Sequence, residues 1–441
     1  MTKKKSKVSQ KARKVSAETL SQHRYFPTGF LWFLLIGITF VAAIFPVAVT
    51  RMMNDEALTG AFFIPVILFF VTLVLGLGMS RPNRYQGDRA FVVTTLLLFG
   101  LGIAEQVRMG TWELSWTLRA YAPLLVGVAG FLFCLRWMTA ETIAKGLPRL
   151  KWFLWFCALG TLAVLYVFGR SYRGGLFLPG QINPTELLKL FLIAFAAAWL
   201  PARKDGFSRT VFGLPFPPLK DLLALGVVWG IPVAGAVAVK DLGLVLILCL
   251  TLMLMLMVLT RKVGWLFLGL GATALAGWMV KGLSAHTRAR FEMWLNPFVD
   301  PLGKGWQILQ SLCAQYAGGL FGTGLGEGTP QATPIVSSDF IYAAIAEEWG
   351  WIGCALLLAL YWLWILRASV AGAHAESETV QLFGAGAATV LGVQIILNVG
   401  GVTKALPMTG ITLPFLSQGG FSLLTVLLLC GLLAAASHQK R

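Results

Sequence analysis

Acidic side chains, histidine and clustered cysteine are what this 441-residue chain has least of. It carries 19 Asp and Glu against 36 Lys and Arg, and charged residues make up only 12% of the whole. The 4 histidines are scattered as His23, His286, His374 and His438, so the sequence offers neither a His-based catalytic triad nor a His-rich metal centre. Of the 6 cysteines, Cys134, Cys157, Cys249, Cys354 and Cys430 lie in apolar runs and Cys313 in a long polar segment. No CxxC or Cys/His spacing points to zinc, redox chemistry or a disulfide framework. A Walker A loop and a dinucleotide fingerprint are also missing.

Apolar residues, by contrast, are 57% of the chain. Runs of ~20 of them recur throughout, which is the mark of a polytopic membrane protein. A β-barrel would alternate apolar and polar residues and would lack runs such as LVLILCLTLMLMLMVLT. In hydrocarbon every backbone amide must be paired internally, so the spans are expected to be helices. The expected class is all-α: a polytopic integral membrane helical bundle with a large extracytoplasmic loop. A ~20-residue window gives about twelve spans. They fall near 29–49, 60–79, 90–107, 120–138, 151–169, 186–201, 221–238, 241–260, 263–281, 340–366, 381–402 and 420–437. The first run follows a long basic tail without a small-residue cleavage site, so it reads as a retained span.

The net charge of +17 raises nucleic acid as a partner. The basic residues, however, sit in short connections and in the tail MTKKKSKVSQKARK, where they suit the positive-inside rule and anionic head groups. Membrane lipids are therefore the expected partner, and no nucleic acid. Arg81, Arg84 and Arg89, then Lys145, Arg149 and Lys151, then Arg203, Lys204, Arg209 and Lys220, then Arg261 and Lys262, and Arg367 all fall on the side of the N-terminus. Both termini are expected in the cytoplasm, with residues 1–27 a basic cytoplasmic tail and the loop at about 282–338 outside.

That loop reads RARFEMWLNPFVDPLGKGWQ and then GGLFGTGLGEGTP, before a helix opening DFIYAAIAEEWGW. It gathers Arg288, Arg290, Asp300, Lys304, Glu327 and Asp339 amid lipid-soluble neighbours. Asp300 lies in NPFVDPLGKG, where two prolines and two glycines present its carboxylate at a loop tip; capping a turn is the competing role. Glu186 and Lys189 are spaced i,i+3, either as a structural ion pair or in contact with substrate. Asp241 either caps the helix that follows it or takes part in chemistry. A continuous helix from Asp339 to Arg367 would reach over ~40 Å against a ~30 Å core. It is expected to tilt or to open in a water-accessible crevice, because Asp339, Glu347 and Glu348 are costly against lipid. Glu347 and Glu348 can instead tie helices together. The glycines from Gly318 to Gly328 either admit an anionic head group to backbone amides or form a flexible re-entrant loop. A second irregular segment, TKALPMTGITLPFLSQGG, is expected to border the same crevice.

Six ordered blocks carry a resemblance. NPTELLK at 183–189, KDLG at 240–243, WLNPFVDPLGKGWQILQS at 294–311, GGLFGTGLGEG at 318–328, DFIYAAIAEEWGWIG at 339–353 and NVGGVTKALPMTGITLPFLSQGG at 398–420 resemble the SEDS family of FtsW and RodA type. The resemblance implies a SEDS-like domain over 90–437, with residues 28–80 an additional N-terminal pair of spans. It implies a peptidoglycan glycosyltransferase of the bacterial cytoplasmic membrane that polymerises lipid II at the outer face, in elongation or division, with inversion. The family's essential acid corresponds to Asp300, as general base on the acceptor hydroxyl. Arg288, Arg290, Lys304 and Lys404 are then candidates for stabilising the leaving pyrophosphate. Glu186, Lys189, Asp241, Asp339, Glu347 and Gln418 fall in the substrate-facing motifs. No cofactor is required, and a divalent cation, Mg or Mn, is an open alternative. A class B penicillin-binding protein (transpeptidase) is the implied partner.

The chain departs from the family pattern in places. Asn183 and Thr185 replace Gln and Ser, Lys240 replaces a common Pro, Gln418 replaces Tyr, and Lys404 stands where Gly is common. The usual Arg-Trp-Ile stretch is missing from GRSYRGGLFLPG. Many spans, buried charges and broken outer segments also suit transporters, so a flippase of lipid-linked cell-wall precursor is the alternative. A non-catalytic scaffold for division or elongation partners is a third reading.

Overall fold

The computed structural model describes residues 29–53, 60–81, 84–110, 117–172, 175–179, 183–211, 214–239, 241–271 and 285–438. The basic tail, Lys240 and most of the expected span at 263–281 lie outside the described residues. The chain folds as a polytopic helical membrane protein. Its helices are α1 (Gly29–Met53), α2 (Gly60–Met79), α3 (Arg89–Arg108), α4 (Thr117–Trp137), α5 (Ala140–Phe168) and α6 (Thr185–Trp199). They continue with α7 (Leu219–Ala238), α8 (Leu242–Thr260), α9 (Ala285–Leu295), α10 (Trp306–Gly318), α11 (Ile341–Ala371), α12 (Glu378–Val402) and α13 (Gly420–Ser437).

Eight of the described helices are long and apolar enough to cross a membrane, or nine if α6 and the turn after it, bent by 44°, form one span. The apolar stretches of α1 and α4, Leu31–Phe45 and Tyr121–Trp137, are shorter. Helix length and composition among the described residues thus support eight or nine spans, and the expected count of about twelve, which includes the stretch at 263–281, is not confirmed by them. Two small antiparallel ribbons decorate the connections: Arg170–Tyr172 with Gly175–Phe177, and Thr210–Val211 with Leu214–Pro215.

Helix α3 is buried along almost its whole length. Asp88 caps it, accepting the Phe91 N–H at 3.1 Å. Glycines let neighbours approach: a Cβ on Gly100 would lie 2.7 Å from the Phe69 ring, and one on Gly102 would lie 2.2 Å from the Phe415 carbonyl. Helices α1 and α2 pack on this core, where Phe40 and Phe69 stack with ring centroids 4.3 Å apart. Helix α13 lies along α4 at a seam of small residues, with Gly127 against Leu424 and Gly431 against Phe131, the usual way for helices to close up in lipid.

Helix α11 is not the continuous rod expected from the sequence. Gly350 has φ 66 and ψ −173, a conformation open almost solely to glycine, and the helix breaks there. The glycine loop after α10 fills the break. Thr323 and Gly324 donate to the carbonyls of Glu347 and Glu348 at 2.9 and 3.3 Å, while Trp351 and Ile352 donate to the carbonyls of Gly319 and Leu320 at 3.0 and 3.2 Å. These bonds replace those the break removes from the helix ladder. A Cβ on Gly322 would meet the Glu348 carbonyl at 1.9 Å, so only glycine fits. The amides of Gly322, Gly324 and Gly328 are all committed within the protein.

Candidate active site

The starts of α6, α8, α11 and α13 and the end of α12 gather at one end of the bundle. At the start of α6, Asn183 Oδ1 accepts the Thr185 N–H at 3.1 Å, and Thr185 Oγ1 lies 2.7 Å from Asn183 Oδ1 and 3.3 Å from Asp241 Oδ2. Asp241 Oδ1 accepts the Leu244 N–H at 3.0 Å, so the capping role is realised while the other oxygen faces α6. Lys189 is buried, with Nζ 2.5 Å from Glu186 Oε2, close enough for an ion pair though out of line for a hydrogen bond. Lys189 also donates to Gln394 Oε1 at 3.0 Å. Gln394 in turn donates to the Thr412 carbonyl at 2.9 Å, and Thr412 Oγ1 meets Ser422 Oγ at 2.8 Å. One polar chain therefore links α6, α12 and the start of α13.

The irregular segment 403–419 is pinned by amide side chains from the spans. Asn398 Nδ2 donates to the carbonyls of Ile411 and Asp339 at 2.6 and 3.0 Å. Gln106 Nε2 meets the carbonyls of Phe415, Leu416 and Ser417 at 3.2 to 3.3 Å. Gln418 is a clamp: its N–H donates to the Ser337 carbonyl at 2.7 Å, and its Oε1 accepts from Ser337 Oγ at 2.8 Å. Among the described residues four non-glycines have left-handed backbones, and three of them, Ile335, Lys404 and Phe415, lie in the loop before α11 and in segment 403–419. Such strain persists where surrounding structure over-determines it, and functional sites are where it collects.

Helix α9 docks on this segment with one face. Arg290 and Trp294, one helical turn apart, donate to the carbonyls of Thr409 at 2.9 Å and Lys404 at 3.1 Å. A Cβ on Gly410 would lie 3.4 Å from Arg290 Nη2 and 3.5 Å from Asp339 Oδ2, so guanidinium and carboxylate converge on that glycine. Burial lowers the Arg290 pKa, and the charges of Asp339 and Asp241 oppose that shift. Helix α10 is anchored nearby, with Ser311 Oγ and Gln315 Nε2 donating to the Val402 carbonyl at 3.0 and 3.1 Å.

Between these two anchored helices lies Asp300. Its Oδ2 accepts the Lys304 N–H at 2.9 Å, and its carbonyl accepts the Gly305 N–H at 2.9 Å. A Cβ on Gly303 would sit 2.5 Å from both carboxylate oxygens, and one on Gly305 would sit 2.2 Å from the Pro297 carbonyl. Pro297, Gly303 and Gly305 thus fold a tight frame around the carboxylate. Oδ1 has no hydrogen bond among the described residues, so turn-capping uses one oxygen and leaves the other unbonded. Asp300 is half-buried and makes no ion pair there. Arg288 and Lys304 are exposed without a polar side-chain partner among the described residues, and it is the backbone of Lys304, not its ammonium, that meets Asp300. The structure therefore groups Arg290 with Asp241 and Asp339, and holds Asp300 apart on the turn.

Glu347 Oε1 accepts the Thr329 N–H at 2.8 Å, and Glu348 Oε1 accepts Arg108 Nη2 and the Gly328 N–H, the latter at 3.1 Å. Both carboxylates hold the glycine loop, the tying role. Gln106, Arg108, Gln394 and Asn398 escaped sequence reasoning; lone polar groups within apolar spans were the available signal. No group of three or more His, Cys, Asp or Glu side chains among the described residues is placed to hold a metal.

A family model described as cell cycle protein, covering FtsW, RodA and SpoVE, matches residues 87–441. The peptidoglycan glycosyltransferase RodA of Mycobacterium tuberculosis is 35% identical over 391 residues, covering 86% of this chain and 78% of the relative. Stage V sporulation protein E of Bacillus subtilis is 32% identical over 387 residues, covering 85% and 96%. A solved chain from work on structural coordination of polymerization and crosslinking by a peptidoglycan synthase complex aligns with TM-score 0.61 and 28% identity, over 79% of this chain and 97% of that one. The rod shape determining protein RodA of Thermus thermophilus shares the fold, with TM-score 0.57 at 24% identity over 81% of this chain and all of that one.

Proposed function

The chain belongs to the cell cycle protein family of FtsW, RodA and SpoVE, and from that premise we infer a peptidoglycan glycosyltransferase that polymerises lipid II at the outer face of the cytoplasmic membrane. The observation that carries the site assignment is Asp300: a half-buried carboxylate in a rigid Pro/Gly turn, with Oδ2 fixed by Lys304 and Oδ1 open. Oδ1 takes the proton of an acceptor sugar hydroxyl as its oxygen attacks the donor's anomeric carbon. The bond to the pyrophosphate breaks, its electron pair leaves with the phosphate, and the configuration inverts.

The developing phosphate charge needs a cation. Arg288 and Lys304 are exposed and uncommitted, and Lys404 flanks the same turn through Trp294. Arg290 is already tied to Thr409 and flanked by two acids, so its part is to hold α9 and line the crevice. Glu186, Lys189, Asp241 and Asp339 supply the polar wall for the substrate head group, and Glu347 and Gln418 hold its loops. A divalent ion carried in by the pyrophosphate needs few protein ligands and suits this arrangement. The termini lie in the cytoplasm, and a class B penicillin-binding protein (transpeptidase) cross-links the product.

The test is purified protein in liposomes loaded with lipid II, with and without a co-purified transpeptidase. Glycan strands are the expected product. Translocation of lipid II with no polymer would replace this reading with the flippase.

A further inference from the structure

The turn that presents Asp300 has an unusual exterior. Phe298, Val299 and Leu302 are 72%, 73% and 84% exposed, as open as Leu356 and Ile396 on the membrane-crossing α11 and α12. Large apolar side chains exposed together beside a polar rim mark a contact surface, not a random feature.

The depth of this turn follows from its anchors. Helix α12 has 25 residues, and at 1.5 Å per residue it spans ~37 Å, slightly more than the ~30 Å hydrocarbon core. Val402, its last residue, therefore lies at the membrane boundary. Both arms of the turn are fastened at that level: α10 by Ser311 and Gln315 to the Val402 carbonyl, and α9 by Trp294 to the Lys404 carbonyl. The turn also closes on itself, with Gly305 packed on the Pro297 carbonyl and bonded to the Asp300 carbonyl. Four residues separate the Trp294 anchor from Phe298, a reach of at most ~13 Å. The head-group layer on one side of a bilayer is ~5–8 Å deep, so the tip stays within about two such layers of the hydrocarbon boundary. Arg288 and Lys304, the exposed cations on either side, complement lipid phosphates.

We propose that this turn inserts into the lipid surface, with Phe298, Val299 and Leu302 among the upper acyl chains and Arg288 and Lys304 at the phosphates. The insertion fixes the height of Asp300 at the head-group plane, where a lipid-linked sugar carries its pyrophosphate. It stands independently of whether Asp300 is the base.

The test is a depth measurement on the full-length protein in nanodiscs of phosphatidylethanolamine and phosphatidylglycerol. In a Cys313→Ser background, which removes an exposed thiol, Phe298→Cys and Leu302→Cys are each labelled with an environment-sensitive nitrobenzoxadiazole dye. Acyl-brominated lipid is expected to quench both labels several-fold more than aqueous iodide does. Stronger quenching by iodide would place the turn in water and overturn the insertion. Shielding from both quenchers would mean that protein covers the turn, and would overturn it equally. The same quenching pattern is expected after Asp300→Asn, so loss of activity in that variant leaves the depth result standing by itself.

Discussion

Lys404 holds φ 61, a left-handed backbone that costs a residue with a side chain about 1–2 kcal/mol relative to its preferred regions. Glycine avoids that cost. Lys404→Gly should therefore raise thermal stability in detergent, by on the order of 1 kcal/mol, while slowing polymerisation only several-fold. Near-complete loss of turnover would instead make its ammonium indispensable to the leaving group. The two arginines of α9 separate in the same way. Arg288 is exposed and uncommitted, so Arg288→Ala should lower kcat/KM by about 10- to 100-fold, the worth of a charge-assisted bond to phosphate, without changing stability. Arg290 donates to the Thr409 carbonyl and faces Asp241 and Asp339. Arg290→Ala should destabilise the fold by about 2 kcal/mol or more, because it leaves buried acceptors and two acids uncompensated. Equal stability and kinetics in both variants would refute the division of roles.

At the level of elements, the break in α11 yields a prediction of unusual sign. Gly→Ala inside a helix commonly stabilises by up to about 1 kcal/mol. At Gly350 the backbone has φ 66 and ψ −173, so Gly350→Ala should destabilise by about 1–3 kcal/mol. Gly322→Ala should do likewise, since its Cβ would overlap the Glu348 carbonyl. A rise in melting temperature for Gly350→Ala would mean that α11 runs unbroken. The stretch EEWGWIG gave no sign of this break, because a lone glycine in an apolar run is compatible with a straight membrane helix. The turn at Asp300 was legible, since NPFVDPLGKG places its prolines and glycines where local geometry requires them. The amides that pin 403–419 were not, because Gln106 and its carbonyl partners lie some three hundred residues apart and periodicity reports only near neighbours. The positions of the described spans were legible, because long apolar runs mark them directly, whereas the apolar stretches of α1 and α4 that meet the same test are shorter, Leu31–Phe45 and Tyr121–Trp137.

For the whole molecule, the asymmetry of Lys and Arg predicts an orientation that one thiol can test. Cys313 is exposed on α10, so a membrane-impermeant maleimide should label it in intact spheroplasts, and Cys313→Ser should abolish that signal. Labelling only after permeabilisation would turn the loop to the cytoplasm and away from the proposed substrate. Helices α1 and α2, which precede the matched residues 87–441, pack on α3 far along the chain from the residues assigned to catalysis. The catalytic claim rests on the single open oxygen of Asp300, and Asp300→Asn isolates it. The amide keeps an acceptor for the Lys304 N–H and so preserves the turn, whereas alanine would lose both functions at once. Single-turnover polymerisation of lipid II by wild type and Asp300→Asn, at matched thermal stability, is the decisive comparison. The expected result is strand formation by wild type and a loss of at least about 100-fold in the variant, at the scale of general-base catalysis. Undiminished polymerisation by a folded Asp300→Asn protein would contradict the account.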